Sequence, residues 1–484
     1  MANHVPIGKD ITELPESMKK LYKKAAELIK ENENIKIYTH IDCDGLCSGA
    51  ILSTLLDRIG KKHEIDWVNL DELEDLKIDH DLTIFSDLGS GQPVDKNASK
   101  NQNIIILDHH PPLRDPDYES NCNYIEINPH HHSIDGSFYV CGGGLCYFLS
   151  KEFGYKDLSW IGVLSAIGDI QNGRTGKLEG LNSTILKDAE DQGYVETTKG
   201  DLNIYGRKSR LLFVALTYFS DVTIPTTGNQ NIAKNTLREL KIDMDGNRTL
   251  SDLTQKEKEI LFKYLLNEIT IRVPKRYVPY VPQLLIGDAY EFLYEEENTF
   301  LRDGSEFSTA MNACGRNEKY EIAHRILKGE REEALDLLED VSKQHKMRLA
   351  KNISKVENSI IELENLQYFE GEDIPANIVG TVTGMILGNG NWKKPIIGFG
   401  KNDNGNLKVS LRCSKLLSYD GIHFGKIIRE VSKELGGNGG GHSMACGAYI
   451  PADKKDEFLQ IFNSKLENLI EQWKIRSVWK YERI

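Results

Sequence analysis

The sequence lacks the features of a membrane, secreted or strongly basic protein. It contains no apolar run of about 18 residues, and its mean hydropathy is −0.43, so we expect no membrane span. Residues 1–10 contain no hydrophobic stretch of the kind found in secretory signals, and we therefore expect a cytoplasmic location. Lysine and arginine total 60 against 73 acidic residues, a net charge of −13, which excludes a globally basic nucleic-acid coat.

Cysteine is sparse and is not spaced for a zinc ribbon. None of the eight cysteines forms a C-x-x-C pair, and without a signal peptide we expect reduced thiols. With 39% hydrophobic and 27% charged residues over 484 positions, the composition is typical of a globular chain of about two to four domains.

Short β-rich runs alternate with amphipathic stretches in the first third of the chain. We predict strands at residues 35–40, 65–70, 82–85 and 103–107, and a helix at residues 45–60. Continuous apolar runs such as IIIL are typical of strands buried on both faces of a parallel sheet. The rhythm predicts an α/β fold with a doubly wound parallel sheet.

The rest of the chain divides by composition. We expect residues 1–180 to form the N-terminal part of the first α/β domain, and residues 181–327 a mostly helical insertion with the remainder of that lobe. Residues 328–366, charged and free of proline, predict a connector helix. Residues 367–484 predict a smaller α/β domain, with strands at 378–387, 395–400 and 407–412, helices at 425–435 and 456–473, and a glycine-rich turn at 436–441.

Four segments place aspartate or histidine directly after a predicted strand. They are residues 40–45 (HIDCDG), Asp87, residues 108–110 (DHH), and Asp169 after the apolar residues 166–168. Side chains beyond the carboxyl ends of parallel strands converge on one crevice, and clustered carboxylates are costly unless a cation neutralises them. Oxygen and imidazole ligands suit Mn²⁺ or Mg²⁺.

The spacing of these residues predicts two ions. Asp42 and Asp44 lie two apart, so they can address two ions from one loop, and Gly45 permits a sharp turn into the following helix. Two ions would activate a water molecule and stabilise the leaving oxygen of a phosphoryl hydrolysis. The alternative for any single strand-end aspartate is a turn former or a helix N-cap.

This ordered set resembles the motifs of the DHH phosphoesterase superfamily. Gly439, Gly440, Gly441 and His442, with Ser410 and Arg412 upstream, resemble the signature of the DHHA1 domain. Residues 307–316 and 128–131 are similar to those of archaeal RecJ-like single-strand exonucleases, including the GINS-associated nuclease.

The resemblance implies a role for each candidate residue. The metal ligands would be His40, Asp42, Asp44, Asp87, His109 and Asp169, with Asp87 bridging. Asp108 and His110, grouped with Asp87 as catalytic, would orient ligands or contact the transition state. The substrate-binding residues would be His131, Asn312, Arg316, Arg412, Gly439, Gly440, Gly441 and His442.

Some substrate candidates have a plain structural alternative. Residues 439–442 could cradle a phosphate with backbone N–H groups, or they could be the loop after a helix C-cap. Residues 207–210 and Lys393–Lys394 are small cationic patches, and Trp392 could stack on a base, although charge runs are usually solvated faces. Residues 142–144 could hold an anion at a helix N-terminus or allow tight packing.

The resemblance implies a two-metal exonuclease that cuts single-stranded nucleic acid, DNA in the 5′→3′ direction and in some cases RNA. The alternatives are an oligoribonuclease or small-nucleotide phosphodiesterase of the same superfamily, and a replication scaffold that binds a GINS-like complex. The chain length favours a long substrate, and the complete set of ligands argues against a scaffold alone.

Overall fold

The structure, a computed structural model, describes residues 11–481 apart from residues 71, 74, 75, 298, 402–404 and 420. Residues 1–10, where we expect no secretory signal, lie outside this description. The chain forms two units, each built from two segments: unit 1 from Met1–Asn203 and Ile286–Lys343, and unit 2 from Ile204–Leu285 and Gln344–Ile484.

Helices and strands alternate along most of the chain. The first segment of unit 1 contains α1 (Glu16–Glu31), β1 (Asn34–Thr39), α2 (Cys43–Arg58), β2 (Lys62–Trp67), β3 (Leu82–Ser86), β4 (Asn103–Leu107), β5 (Asn123–Ile127), α3 (Gly142–Glu152), α4 (Ser159–Gly168), α5 (Leu181–Asp191) and β6 (Val195–Leu202). The next part of the chain, which ends with the connecting helix α12, contains α6 (Leu212–Thr217), α7 (Gln230–Glu239), α8 (Gln255–Thr270), α9 (Val281–Leu285), β7 (Ile286–Phe292), α10 (Gly304–Arg316), α11 (Tyr320–Leu327) and α12 (Glu332–Val356). The last part contains β8 (Ile361–Glu362), β9 (Gln367–Pro375), α13 (Ala376–Met385), β10 (Ile396–Lys401), β11 (Asn406–Arg412), α14 (Lys415–Tyr419), α15 (Phe424–Glu434), β12 (Asn438–Gly441), β13 (Ala445–Pro451) and α16 (Lys455–Tyr481).

Unit 1 is built on a five-stranded parallel sheet in the order β2-β1-β3-β4-β5. Ile37, Ile84 and Ile105 face a core shared with the helices that follow the strands, whereas Tyr38 and Phe85 face a smaller core on the other side. The apolar runs are therefore buried on both faces, and the prediction of an α/β fold with a parallel sheet is confirmed.

The strand register brings the predicted site residues together at the carboxyl ends of the strands. Thr39 pairs with Ser86, and Ser86 pairs with Leu107, so β1, β3 and β4 end at the same level. His40, Asp87 and Asp108 are the next residues after these strands. The chain order also reverses between β1 and β3, which is where ligands bind in open α/β sheets.

Unit 1 is completed by a two-stranded antiparallel sheet, β6–β7, and by helices from its second segment. The expected insertion, residues 181–327, is therefore shared: residues 204–285 belong to unit 2 and contain α6 to α9. The expected connector helix of residues 328–366 is shorter than predicted, since α12 begins at Glu332 and ends at Val356.

Unit 2 contains a six-stranded sheet in the order β12-β13-β11-β10-β9-β8. Two of the predicted elements differ from the structure here. Residues 378–387 lie mostly in helix α13 and not in a strand, because Ile378, Val382 and Ile386 recur at helical spacing and are buried on one face. The glycine-rich turn contains the edge strand β12, which pairs with β13.

Residues 204–285 pack against the C-terminal part of unit 2. The Thr223 hydroxyl donates to the carbonyl oxygen of Gly388 over 3.2 Å, and the rings of Tyr280 and Tyr419 stack with centroids 4.9 Å apart. Among the helices within the described residues, none is long and apolar enough to cross a membrane.

Candidate metal centre

Four stretches of unit 1 bring carboxylates and imidazoles to the carboxyl edge of the parallel sheet. Asp42 is the N-cap of α2, where its side chain accepts a hydrogen bond from the Gly45 N–H over 3.1 Å, and Asp44 lies in the first turn. Asp87 and His109 follow β3 and β4. Asp169 is the C-cap of α4, so the prediction that it follows a strand is wrong, because a buried apolar run of this length has no period that distinguishes strand from helix.

The side chains form two groups that meet at Asp87. On one side, His40 Nδ1 lies 3.1 Å from Asp42 Oδ2 and 3.5 Å from Asp87 Oδ2. On the other side, His109 Nε2 lies 3.2 Å from the second oxygen of Asp87, Oδ1. The two oxygens of Asp87 therefore face different groups of candidate ligands.

His109 is at the centre of the second group. Its Nε2 atom lies 3.4 Å from Asp44 Oδ2 and 3.8 Å from Asp169 Oδ2. The Nδ1 atom lies 2.8 Å from the carbonyl oxygen of Gly136, which can only accept, so Nδ1 carries a proton and Nε2 is left to bind a cation. A Cβ at residue 136 would lie 2.1 Å from the His109 carbonyl oxygen, so only glycine permits this approach.

The electrostatics of the cluster require a cation. Asp87 is 1% exposed, and neither of its oxygens has a hydrogen-bond partner among the described residues. Burial disfavours protonation of His109, but the charges of Asp169, Asp87 and Asp44 outweigh it and raise the pKa of its imidazole. The same carboxylates would attract a divalent ion to Nε2. The donor set fits a hard divalent ion, and the cluster can hold a metal.

Asp44 is held in place by the start of helix α3. Its two oxygens accept the N–H groups of Gly142 and Gly143 over 2.8 Å each, and it also accepts a hydrogen bond from the Ser165 hydroxyl. The anion at the N-terminus of α3 is therefore a carboxylate of the chain itself. A Cβ at residue 142 would lie 2.6 Å from the Asp87 Cβ, so close packing also requires glycine there.

Asp108 orients His110 and lies outside the two groups of ligands. It accepts the Ser90 N–H at 2.9 Å, and its other oxygen lies 2.8 Å from His110 Nδ1. Burial raises the pKa of Asp108, but the adjacent His110 and His109 outweigh burial and lower it to about 2. The carboxylate fixes the His110 ring, whose side chain is 39% exposed and can reach a bound molecule through Nε2.

Gln171 is a site residue that the sequence analysis missed. Its buried side-chain amide donates to Asp169 Oδ2 and to the carbonyl oxygen of Gly136, over 2.8 Å in each case. It therefore links Asp169 to the carbonyl group that orients His109. A lone glutamine has no spacing signal, and only its proximity to Asp169 in the chain could have drawn attention to it.

Gln171→Leu is expected to weaken Mn²⁺ binding about 10- to 100-fold, because Asp169 and His109 lose the group that aligns them. Titration calorimetry with Mn²⁺ measures the change. Gln192→Leu is the matched control, since Gln192 bonds the Lys156 and Asp188 carbonyl groups at the surface and should leave the affinity unaltered. An affinity of Gln171→Leu within twofold of the wild type would contradict this role.

Two of the predicted substrate residues lie on α10 beside the metal-binding loop. Asn312 Oδ1 accepts the Cys43 N–H over 3.0 Å. Gly315 allows the helix to approach the loop, because a Cβ there would lie 1.8 Å from the Ile41 carbonyl oxygen. Burial lowers the pKa of the Arg316 guanidinium, and the charge of Asp42 opposes this shift. By contrast, His131 is 9% exposed, lies 3.8 Å from Glu126 and does not join the metal cluster of the described residues.

The other predicted substrate residues lie together in unit 2. Arg412 ends β11 and pairs in register with Ala445, whose carbonyl oxygen accepts the N–H of His442 over 3.0 Å. Gly439, Gly440 and Gly441 form β12 beside them. Helix α15 packs closely on this strand, since a Cβ at Gly439 would lie 2.7 Å from the Ser432 hydroxyl.

Two candidate surface patches are less exposed than the sequence suggests. Trp392 is 7% exposed and packs edge-on against Tyr277, so its ring is part of the buried core of unit 2 and is not available to stack on a base. Arg207 and Lys208 are also nearly buried, at 6% and 7% exposed, which leaves Arg210 as the accessible cation of that run.

Two family models match the chain, the DHH family N-terminal domain over residues 34–166 and the DHHA1 domain over residues 363–468. The uncharacterized protein MJ0831 of Methanocaldococcus jannaschii is 32% identical over 435 residues, which is 88% of this chain and 91% of that protein. A second protein of that organism, MJ1071, is 29% identical over 218 residues, 44% of this chain and 60% of its own length.

Solved structures share the fold at low sequence identity. CDC45 from Entamoeba histolytica superposes with a TM-score of 0.58 at 12% identity, covering 93% of this chain and 99% of that one. RecJ from Thermus thermophilus in complex with Mn²⁺ gives 0.54 at 15% identity, over 95% of this chain and 56% of that one. An exonuclease RecJ bound to manganese gives 0.51 at 13%, over 94% and 95%.

Proposed function

This chain belongs to the DHH–DHHA1 superfamily of phosphoesterases and is RecJ-like, and from that premise we propose that it is a metal-dependent exonuclease acting on single-stranded nucleic acid. The substrate would be single-stranded DNA degraded 5′→3′, with RNA as a second substrate. The observation that carries the proposal is the position of Asp87, whose two carboxylate oxygens face two separate groups of ligands.

The residues divide between two metal positions. His40, Asp42 and Asp87 would hold one ion, and Asp44, Asp87, His109 and Asp169 a second, with Mn²⁺ or Mg²⁺ as the ion. When bound, such ions polarise a phosphoryl oxygen and lower the pKa of water. The chain's own contribution is to fix the ligands: Gly142 and Gly143 orient Asp44, and Gly136 orients His109.

The polar residues around the cluster would bind the substrate. His110, aligned by Asp108 through Nδ1, would contact the phosphoryl group through Nε2. Arg316 adds a positive charge near Asp42 on the same side of unit 1. Arg412 and the backbone N–H groups around Gly439, Gly440, Gly441 and His442 would bind phosphate in unit 2.

The product pattern on labelled strands tests this function. DNA and RNA strands of about 20 nucleotides, labelled at the 5′ or the 3′ end, are incubated with Mn²⁺ or Mg²⁺. We expect 5′-labelled DNA to release a labelled mononucleotide from the start, and 3′-labelled DNA to give a descending ladder. Turnover of a dinucleotide without a ladder would instead indicate a small-nucleotide phosphodiesterase, and no hydrolysis with either metal would indicate a scaffold.

A further inference from the structure

Residues 204–285 carry a charge opposite to that of the rest of the chain. They contain 13 lysine and arginine residues against eight acidic residues, a net charge of +5. Since the whole chain has a charge of −13, the remaining residues carry −18. Residues 344–484, the other segment of unit 2, carry 20 lysine and arginine residues against 16 acidic residues, a net charge of +4, so the negative charge of the chain lies in unit 1. A polyanion is repelled by an acidic surface and attracted by a cationic one, so unit 2, with residues 204–285 as its more positive segment, is the part of the chain that attracts one.

Within this segment, the guanidinium group of Arg210 contacts two tyrosine rings. Its guanidinium carbon is 4.9 Å from the centroid of the Tyr205 ring and 4.2 Å from that of the Tyr218 ring, and we call these three residues the Arg210 stack. Gly206 leaves room for it, because a Cβ at that position would lie 2.4 Å from Arg210 Cδ. The backbone thus holds the guanidinium in a defined place.

Among the described residues, none accepts a hydrogen bond from the guanidinium group of Arg210, whose backbone N–H donates to the carbonyl oxygen of Gly206. Arg248 and Arg272 of the same segment pair with Glu257 and Glu268, whereas no carboxylate of the described residues pairs with Arg210. The guanidinium group, held by the two ring contacts, therefore keeps N–H groups for solvent or for a ligand.

Apolar and aromatic surface is exposed beside these donors. Tyr218 is 45% exposed, and Leu211, which follows Arg210, is 39% exposed. Sites for single-stranded nucleic acid combine a cation that binds the backbone with an exposed ring on which a base stacks. Arg210 and Tyr218 supply both elements at one place.

The segment that carries the Arg210 stack contacts the segment that follows Arg412. Asp221, three residues after Tyr218, accepts the backbone N–H of Lys415 over 2.9 Å. Lys415 lies three residues after Arg412. Both places belong to unit 2, so a strand bound at Arg412 has a second cationic and aromatic contact on the same unit.

We propose that the Arg210 stack is a second contact site for single-stranded nucleic acid, in which Arg210 binds a backbone phosphate and Tyr218 stacks on a base. The identity of the ligand rests on the proposed function. The site contacts nucleotides beyond those held at Arg412 in the same unit, so it increases affinity for long strands and contributes little to short ones.

Equilibrium binding of labelled oligothymidylates to the full-length chain in EDTA, where no hydrolysis occurs, tests the proposal. For a strand of about 20 nucleotides, Arg210→Ala should weaken binding about tenfold and reduce the slope of log K against log salt by about 0.7, the value for one phosphate contact on a single strand. Tyr218→Leu should weaken binding about tenfold with an unaltered slope. For a strand of about five nucleotides, all affinities should agree within about twofold.

Two controls separate the site from net charge and from misfolding. Arg238→Ala removes one exposed cation of the same segment, and Tyr218→Phe keeps the ring, so both should bind like the wild type. If Arg210→Ala does not fold, Arg210→Gln, which keeps a long polar side chain, replaces it in the binding experiment. Equal losses for Arg210→Ala and Arg238→Ala would overturn the proposal, as would an unaltered affinity of Arg210→Ala for the long strand.

The binding experiment tests the Arg210 stack separately from the proposed hydrolysis. A wild-type chain that cuts labelled strands while Arg210→Ala binds them equally well refutes the site and leaves the proposed function standing. A chain that hydrolyses nothing with Mn²⁺ but loses strand binding on Arg210→Ala refutes the proposed function and supports the site.

Discussion

Asp87→Asn is expected to reduce hydrolysis at least about 10³-fold, with Mn²⁺ or Mg²⁺ supplied, because it removes the carboxylate that faces both ligand groups and metal ions contribute several kcal/mol to such reactions. Asparagine is the appropriate replacement. Asp87 has a φ of 58°, in the left-handed region that asparagine tolerates and other side chains disfavour. Rates on a 5′-labelled strand measure the loss.

The same substitution has an opposite effect on the metal-free fold. Removing one of several buried like charges relieves repulsion, so the melting temperature without metal should rise or stay constant. The wild type gains about 2.7 kcal/mol at a Mn²⁺ concentration 100 times its dissociation constant, and Asp87→Asn should lose most of this gain. A variant that is merely unfolded would show neither result.

Asp157→Asn is the matched control for Asp87. Asp157 is partly exposed and forms a two-pronged ion pair with Arg58, at 2.9 and 2.6 Å, away from the cluster. A pair of this kind contributes up to about 1 kcal/mol, so activity and Mn²⁺ stabilisation should remain. Activity of Asp87→Asn within tenfold of the wild type would refute the assignment of the centre.

Gly45→Ala is expected to lower the melting temperature of unit 1 by about 2–8 °C. Its Cβ would lie 2.2 Å from the His40 carbonyl oxygen and 2.6 Å from the His40 Cα, both of which are backbone atoms. Alanine in a helix gains about 1 kcal/mol over glycine, but an overlap of this kind costs about 1–3 kcal/mol or more, so the overlap dominates. The displaced loop carries His40 and Asp42, and Mn²⁺ affinity should fall with stability.

Gly91→Ala is the control for the glycine substitution. A Cβ there would lie no closer than 3.8 Å to another group, the Pro111 carbonyl oxygen, and the residue is exposed. Its melting temperature and Mn²⁺ affinity should match those of the wild type in calorimetry. If Gly45→Ala melted within 1 °C of the wild type, the loop would not require the close approach seen here.

The local sequence pattern was sufficient to predict site residues where a β-rich run is followed directly by polar residues. The strand-end positions of His40, Asp87 and Asp108 could be predicted, because β-rich runs and the residues that follow them are adjacent in sequence. The same reasoning was wrong for Asp169 and for residues 378–387, where helices bury apolar runs that look like strands.

For other residues of the site, the contact partner had no local signal, although residues 142–144 could be recognised as an anion-binding helix N-terminus. Gln171 contacts Asp169 and Gly136, and Gly142 and Gly143 contact Asp44, but these contacts depend on how helices α3 and α4 pack against α2. The grouping of residues 204–285 with unit 2 also depends on contacts between segments far apart in the chain, such as that of Asp221 with Lys415.

The sequence by itself determined the family, the α/β class and the chemical type of the ligands, because motif spacing and residue type are properties of short stretches. Only the tertiary structure decided which oxygen of Asp87 faces which ligands, which nitrogen of His109 is available, and that Trp392 is buried while Arg210 is accessible. These properties depend on strand register and on packing between distant segments, which no single stretch of residues contains.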